Sequence, residues 1–296
     1  MSITTEEVQF QSGGERCSGT LFLPESDSSP FPAVVLAHGF TATRRDGLPA
    51  FAERFAGEGF AALTFDYRGF GDSEGSERQV LEIDRELEDV GAAIDFIRSR
   101  AGIDPDRVAL WGTSLGGGLA FETAAKDPAL TCVIAQVPFS DGFSMLGAVP
   151  PLAAARLTAR AVKDKIAARL GRSRVLIPAA GPPGSLAAMS SADALPGFQS
   201  ITPPDSSHEN RVSAAVTLDI LKWRPGRRAA TISSPLLVQV ADRDLDTPPA
   251  PAAKAAGLAP KCETRHYDCG HFDVYNPPWF DQVVSDQIAF LRRHLS

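Results

Sequence analysis

The strongest constraint on this chain is a series of short apolar runs that lack the polar alternation of a half-solvated strand. Phe31–Ala37, Phe60–Phe65, Val108–Trp111, Cys132–Val137 and Ser234–Val240 are four to seven residues long and almost wholly apolar. Such runs suit parallel strands buried on both faces. Helix-period stretches separate them: Leu48–Gly57, Val80–Arg100 with Ile83, Leu87, Val90, Ile94 and Ile97 on one face, and Leu115–Lys126. Strand and helix in alternation predict an α/β fold, a doubly wound and mostly parallel sheet covered by helices. Glu7–Phe10 and Cys17–Leu23 flank Ser12-Gly13-Gly14-Glu15 and predict an N-terminal antiparallel hairpin.

The rhythm breaks from Phe139 to about Ile232. That block holds a basic helical stretch (Leu152–Leu170), a Pro/Gly/Ala segment (Pro178–Gly184) and a second helical pattern (Val212–Lys222). It is predicted to be a helical lid, residues 139–232, inserted into a core made of residues 1–138 and 233–296. Strand character returns at Cys262–Tyr267, and a closing helix is expected over Phe280–His294.

Composition narrows the function. A net charge of −7, spread along 296 residues with a pI near 5.3, argues against nucleic acid as partner. The first residues carry no basic stretch followed by an apolar run, and no segment approaches ~18 uninterrupted apolar residues, so neither export nor a membrane partner is expected and a cytoplasmic location is. Cys17, Cys132, Cys262 and Cys269 form no CxxC pair and have no histidine at ligand spacing. Free thiols are expected rather than a zinc site or a Cys262–Cys269 disulfide, and no metal or other cofactor is predicted. The oligomeric state is not legible.

Chemistry concentrates at Gly112-Thr113-Ser114-Leu115-Gly116, between an apolar strand and a helical stretch. A G-x-S-x-G turn in that setting raises its serine on a sharp, strained bend, and the glycines let strand and helix approach. A serine hydroxyl is a weak nucleophile at neutral pH, so a base and an acid to orient that base should follow it in the chain. Of five histidines only His271, in Asp268-Cys269-Gly270-His271-Phe272-Asp273, falls between the last strand and the last helix. The acid belongs just past the preceding strand, where Asp242, Asp244 and Asp246 all lie. Asp244 is the choice there, Asp242 the next, and Asp141 an outside alternative. Two N–H donors for an oxyanion are expected from Leu115 and from Phe40, in His38-Gly39-Phe40-Thr41 after the first core strand. His38 itself is expected to bond within its own loop.

Taken together, His38-Gly39-Phe40, Asp66-Tyr67-Arg68-Gly69-Phe70-Gly71-Asp72-Ser73, the serine turn and Gly270-His271-Phe272-Asp273 resemble the α/β-hydrolase superfamily over essentially the whole chain. Gln136-Val137-Pro138-Phe139-Ser140-Asp141-Gly142 and Trp223-Arg224-Pro225 are similar to a branch that includes polyketide-transferase-like and dienelactone-hydrolase-like proteins. The resemblance implies a triad of Ser114, Asp244 and His271 with oxyanion donors Phe40 and Leu115. Dienelactone hydrolases carry cysteine at the turn, and dehalogenases and epoxide hydrolases aspartate; serine here disfavours those chemistries.

Asp66, Arg68 and Asp72 are read as a network bracing the oxyanion loop rather than as a substrate clamp. Pocket walls are sought among Phe139, Phe143, Met145, Leu146, Met189, Phe198 and Trp223. The basic run Arg156, Arg160, Lys163, Lys165, Arg169, Arg172 and Arg174 is read as the solvated face of a helix. The expected activity is hydrolysis of a small-molecule carboxylic ester or thioester through an acyl-enzyme. The alternatives are a biosynthetic acyltransferase or thioesterase, and a ligand receptor on a disabled hydrolase scaffold.

Overall fold

In the computed structural model, which describes residues 2–26, 29–146 and 150–295, the hairpin and the apolar runs assemble into one eight-stranded sheet. The hairpin is β1 (Ile3–Ser12) and β2 (Glu15–Pro24), followed by β3 (Phe31–Ala37), β4 (Ala61–Phe65), β5 (Ile103–Thr113) and β6 (Cys132–Gln136). Two two-residue strands come next, β7 (Leu176–Ile177) and β8 (Val212–Ser213), then β9 (Leu236–Ala241) and β10 (Cys262–Tyr267). The sheet order is β1-β2-β4-β3-β5-β6-β9-β10. β1 and β2 are antiparallel to each other and β2 to β4; all pairs from β4 to β10 are parallel.

Side chains alternate between two apolar layers. Ala33, Val35, Ala37 and Leu110 face a cluster with α2 (Ile83–Ser99), α3 (Leu115–Ala124) and α7 (Pro249–Leu258). Val34, Leu36, Ala109 and Trp111 face one with α1 (Leu48–Gly57) and α8 (Trp279–His294). Each fully buried Val, Leu, Ile or Phe contributes about 1.5–3 kcal/mol, so the strands need no polar face. The chain leaves β3 for β4 on one side and returns to β5 on the other, so the β3 and β5 loops diverge and open a crevice above the strand ends.

Between β6 and β9 run α4 (Pro151–Arg169), β7, α5 (Ala194–Ile201), β8 and α6 (Val216–Asp219), with 3₁₀ turns at Ile220–Lys222 and Pro225–Thr231. Leu157, Ala161, Ile177, Val212 and Val216 of this stretch join the same apolar cluster as α2 and α3. The helix expected over Val212–Lys222 is instead divided: Val212–Ser213 pairs with Leu176–Ile177, and only Val216–Asp219 is α-helical. Sheet pairing overrides the helical pattern there.

Of the basic run, Arg156, Arg160, Lys163, Arg169 and Arg172 are exposed. Lys165 is half-buried and pairs with Asp219 at 2.6 Å, and Arg174 departs furthest from the reading. Its guanidinium meets the fully buried Asp164 at 3.0 and 3.2 Å, and Asp164 also accepts the N–H groups of Val175 and Ala215 at 2.8 and 3.0 Å. One carboxylate on α4 thereby ties the helix to the β7–β8 ribbon. All four cysteines are free, and no helix among the described residues is long and apolar enough to cross a membrane.

Candidate active site

Ser114 follows β5 directly and precedes α3, with φ 55° and ψ −121°. Non-glycine residues adopt this region at a cost of about 1–3 kcal/mol, so neighbouring bonds must hold it. The Ser114 N–H donates to Gln136 O at 3.0 Å, and Ser114 O accepts from Phe139 N at 2.8 Å and Gly117 N at 3.0 Å. The flanking glycines are required by contact: a Cβ on Gly112 would lie 2.1 Å from Gly116 O, and one on Gly116 2.3 Å from Ala37 O. Strand β5, helix α3 and the end of β3 can converge only without those side chains.

His271, in the loop between β10 and α8, points Nε2 at Ser114 Oγ, 3.1 Å away. Its Nδ1 lies 2.6 Å from Asp244 Oδ2, in the turn after β9. A carboxylate oxygen only accepts, so Nδ1 carries the proton and Nε2 presents a lone pair to the serine hydroxyl. Both His271 and Asp244 are buried. Asp244 also accepts from the N–H of Asp246 at 2.8 Å, the N–H of Thr247 at 2.6 Å and the Thr247 hydroxyl at 2.8 Å, a set of donors that the carboxylate form accepts in full. That hydroxyl lies 3.0 Å from Val137 O as well, and its single proton serves one acceptor at a time.

Burial alone would draw the His271 imidazole below its ordinary pKa. The facing Asp244 charge and its hydrogen bond, helped by Asp246 and Asp193, outweigh burial and leave it raised. His38 shows the opposite balance: burial outweighs its bond to Gly39 and the charge of Asp46, and it is lowered to about 4. Its Nδ1 must donate to Gly39 O, 2.9 Å away, so His38 bonds within its own loop.

Asp242 and Asp141, the two alternatives named for the acid, lie elsewhere. Asp242 meets His266 Nδ1 at 2.8 Å on the surface, and Asp141 forms an ion pair with Arg224. Asp66 does brace the oxyanion loop, through a residue that sequence reasoning did not single out: it accepts the Arg44 N–H at 2.7 Å and pairs with the Arg44 guanidinium. Asp72 joins the same guanidinium at 2.9 Å, whereas Arg68 turns away to Asp89 and Glu88 of α2.

A cavity of about 180 Å³ opens at Ser114, with Phe40, Leu115, Phe139 and Met145 on its wall. The Phe40 and Leu115 N–H groups make no hydrogen bond to another described residue. Leu146 and Met189 also line this cavity, and Phe198 lines a smaller one of about 20 Å³ that includes Ser114 and His271. Phe143 and Trp223 are corrections: neither lines either cavity. Phe143 is 50% exposed and lies under the Arg224 guanidinium, 4.9 Å from ring centroid to charge. Trp223 stacks on Phe139 at 5.6 Å, away from the cavity wall. Sequence reasoning missed Leu157 and Thr158 of α4, Val216–Leu218 of α6, and Thr247. An aromatic side chain in the sequence carries no mark of the side it will face; only the Asp-x-Asp-x-Asp-Thr spacing after β9 hinted at Thr247.

Comparison with known proteins identifies the family and the fold. A family model described as serine aminopeptidase, S33, matches residues 28–271. The quorum-quenching protein AidA of Acinetobacter baumannii is 46% identical over 287 residues, spanning 97% of this chain and 94% of that protein. Polyketide transferase GrgF of a Penicillium species is 24% identical, spanning 100% and 98%. The crystal structure of the α/β hydrolase GrgF superposes with a TM-score of 0.83 at 24% identity over 99% of each chain. Est1E of Butyrivibrio proteoclasticus, solved with ferulic acid bound, gives 0.67 at 15% identity, over 97% of this chain and 98% of that one.

Proposed function

The chain belongs to the serine aminopeptidase, S33 family of α/β hydrolases, and on that footing we propose that it cleaves carboxylic esters through an acyl-enzyme on Ser114. The observation that carries this reading is the buried hydrogen-bond chain Ser114 Oγ–His271 Nε2 and His271 Nδ1–Asp244 Oδ2, at 3.1 and 2.6 Å. His271 takes the Ser114 proton as Oγ attacks the ester carbonyl, and Asp244 stabilises the imidazolium that results. The carbonyl oxygen becomes an oxyanion between the N–H groups of Phe40 and Leu115, each worth roughly 2.7–4 kcal/mol in the transition state. Collapse expels the alcohol, which receives the proton from His271. Water then repeats the sequence and releases the acid.

Residues 139–232 act as the lid over the core of residues 1–138 and 233–296. Support comes from Leu157 and Thr158 of α4 and Val216–Leu218 of α6, which share a cavity wall with Ser114. Covering the site excludes bulk water and shapes the acyl pocket. The same cover favours a second reading, transfer of the acyl group to an alcohol that outcompetes water, in line with the transferase among the relatives. Product partition between acid and ester in the presence of alcohol acceptors separates the two.

The direct test is kinetic. Ser114→Ala and His271→Ala should each lower kcat/KM on a short-chain p-nitrophenyl ester by at least about 10⁴-fold, with circular dichroism unchanged. Variants that retain wild-type turnover contradict the proposal.

A further inference from the structure

Two cavities meet at Ser114 and they are unequal. The alcohol that leaves must receive its proton from His271, and His271 lines only the smaller cavity, of about 20 Å³. The acyl group therefore belongs in the larger one, of about 180 Å³. An apolar cavity of roughly 150 Å³ holds a benzene ring, so this one suits an acyl chain of about six to eight carbons.

Its wall is apolar except at a few places, and one of those is unusual. Asp246 lines the cavity, is only 6% exposed, and has one oxygen with a partner and one without: Oδ1 accepts from the Ser191 hydroxyl at 2.7 Å, while Oδ2 is buried with no hydrogen-bond partner among the described residues. Anchoring to Ser191, whose hydroxyl caps the start of α5 by accepting the Ala194 N–H, accounts for Oδ1 alone. A buried polar oxygen without a partner is costly, and a plain alkyl chain packed against it would keep it so. The Asp246 N–H donates to Asp244 at 2.8 Å, which sets this carboxyl beside the reacting end of the site rather than at the far end of the chain pocket.

We propose that the acyl group of the substrate carries a hydroxyl or keto oxygen on one of its first few carbons and that Asp246 is the residue that recognises it. This rests on the esterase reading of Ser114. Burial lifts the Asp246 carboxyl above the usual range; His271 and the Ser191 hydroxyl oppose the rise, while Asp244 and Asp193 reinforce it. A carboxyl that holds its proton donates to a keto oxygen, and in either form it accepts from a hydroxyl. Sites built to hydrogen-bond a substrate group discriminate strongly against the analogue that lacks it, because their own polar atoms are left unpaired.

The test is binding without turnover. Methyl hexanoate, methyl 3-hydroxyhexanoate and methyl 3-oxohexanoate are titrated calorimetrically into the Ser114→Ala protein. The hydroxy or the keto ester should bind at least about tenfold more tightly than methyl hexanoate. That preference should fall to within about twofold when Asp246→Ala is added, and persist in part with Asp246→Asn, which keeps the shape and a donor. Equal affinities for the three esters in Ser114→Ala overturn the proposal, as does a preference that survives Asp246→Ala. Failure of the esterase reading registers separately, as wild-type protein that hydrolyses none of the three esters while still binding them.

Discussion

In the proposed mechanism a proton leaving Ser114 passes to His271 Nε2, 3.1 Å away, so the protonation state of one imidazole should govern the rate. Because Asp244, Asp246 and Asp193 hold the His271 pKa above its ordinary 6.5, the base is charged and idle at lower pH. We expect kcat/KM to rise with pH and reach half its plateau above 6.5; a flat profile from pH 6 to 8 contradicts the role. Asp244→Asn should cost about 10³–10⁴-fold in kcat, since an amide no longer fixes the Nδ1–H tautomer. Ser114 and His271 were legible because a motif and chain order single them out. Asp244 was legible only as one of several carboxylates, and what distinguishes it, three donors from its own turn and the face of His271, exists only in the fold. The same holds for the unpartnered oxygen of Asp246.

At the scale of elements, the buried strands could be read from sequence because a run apolar on both faces has one physical use. The stretch between β6 and β9 was harder. Ala194–Ile201 contains Pro196 and Gly197, both poor helix formers, yet Phe198 packs on Phe272 and His208 and the segment is helical. Tertiary packing supplies what intrinsic propensity withholds. Arg174 is the other case, since a basic residue in a solvated run ends up holding α4 to the β7–β8 ribbon. Arg174→Ala should therefore destabilise the protein by roughly 3 kcal/mol, measured by denaturant unfolding, because Asp164 stays buried without its cation. Burial acts to raise the Asp164 carboxyl, but Arg174 and the Val175 and Ala215 N–H groups prevail and hold it below its ordinary 3.8. Its contribution is therefore complete above that value and lost as pH falls through the lower folded one. An Arg174→Ala protein as stable as wild type at pH 7 would show the pair to be incidental.

For the molecule as a whole, the parallel sheet brings four loops to one end: Phe40 follows β3, Ser114 β5, Asp244 β9 and His271 β10. No two of these are neighbours in sequence, so the site exists only when the sheet is closed in the right order, and loss of fold and loss of activity should coincide on denaturant titration. The proposed acyl-enzyme carries the substrate's acyl group, for part of each turnover, on Ser114 Oγ. Its most direct test is intact-protein mass spectrometry after rapid acid quench of the protein with p-nitrophenyl hexanoate, followed by peptide mapping. One hexanoyl adduct per chain is expected, on the peptide containing Ser114, formed together with a burst of one equivalent of p-nitrophenol and absent from Ser114→Ala. Hydrolysis at the wild-type rate by Ser114→Ala, or an adduct on any other residue that turns over at the catalytic rate, would contradict it.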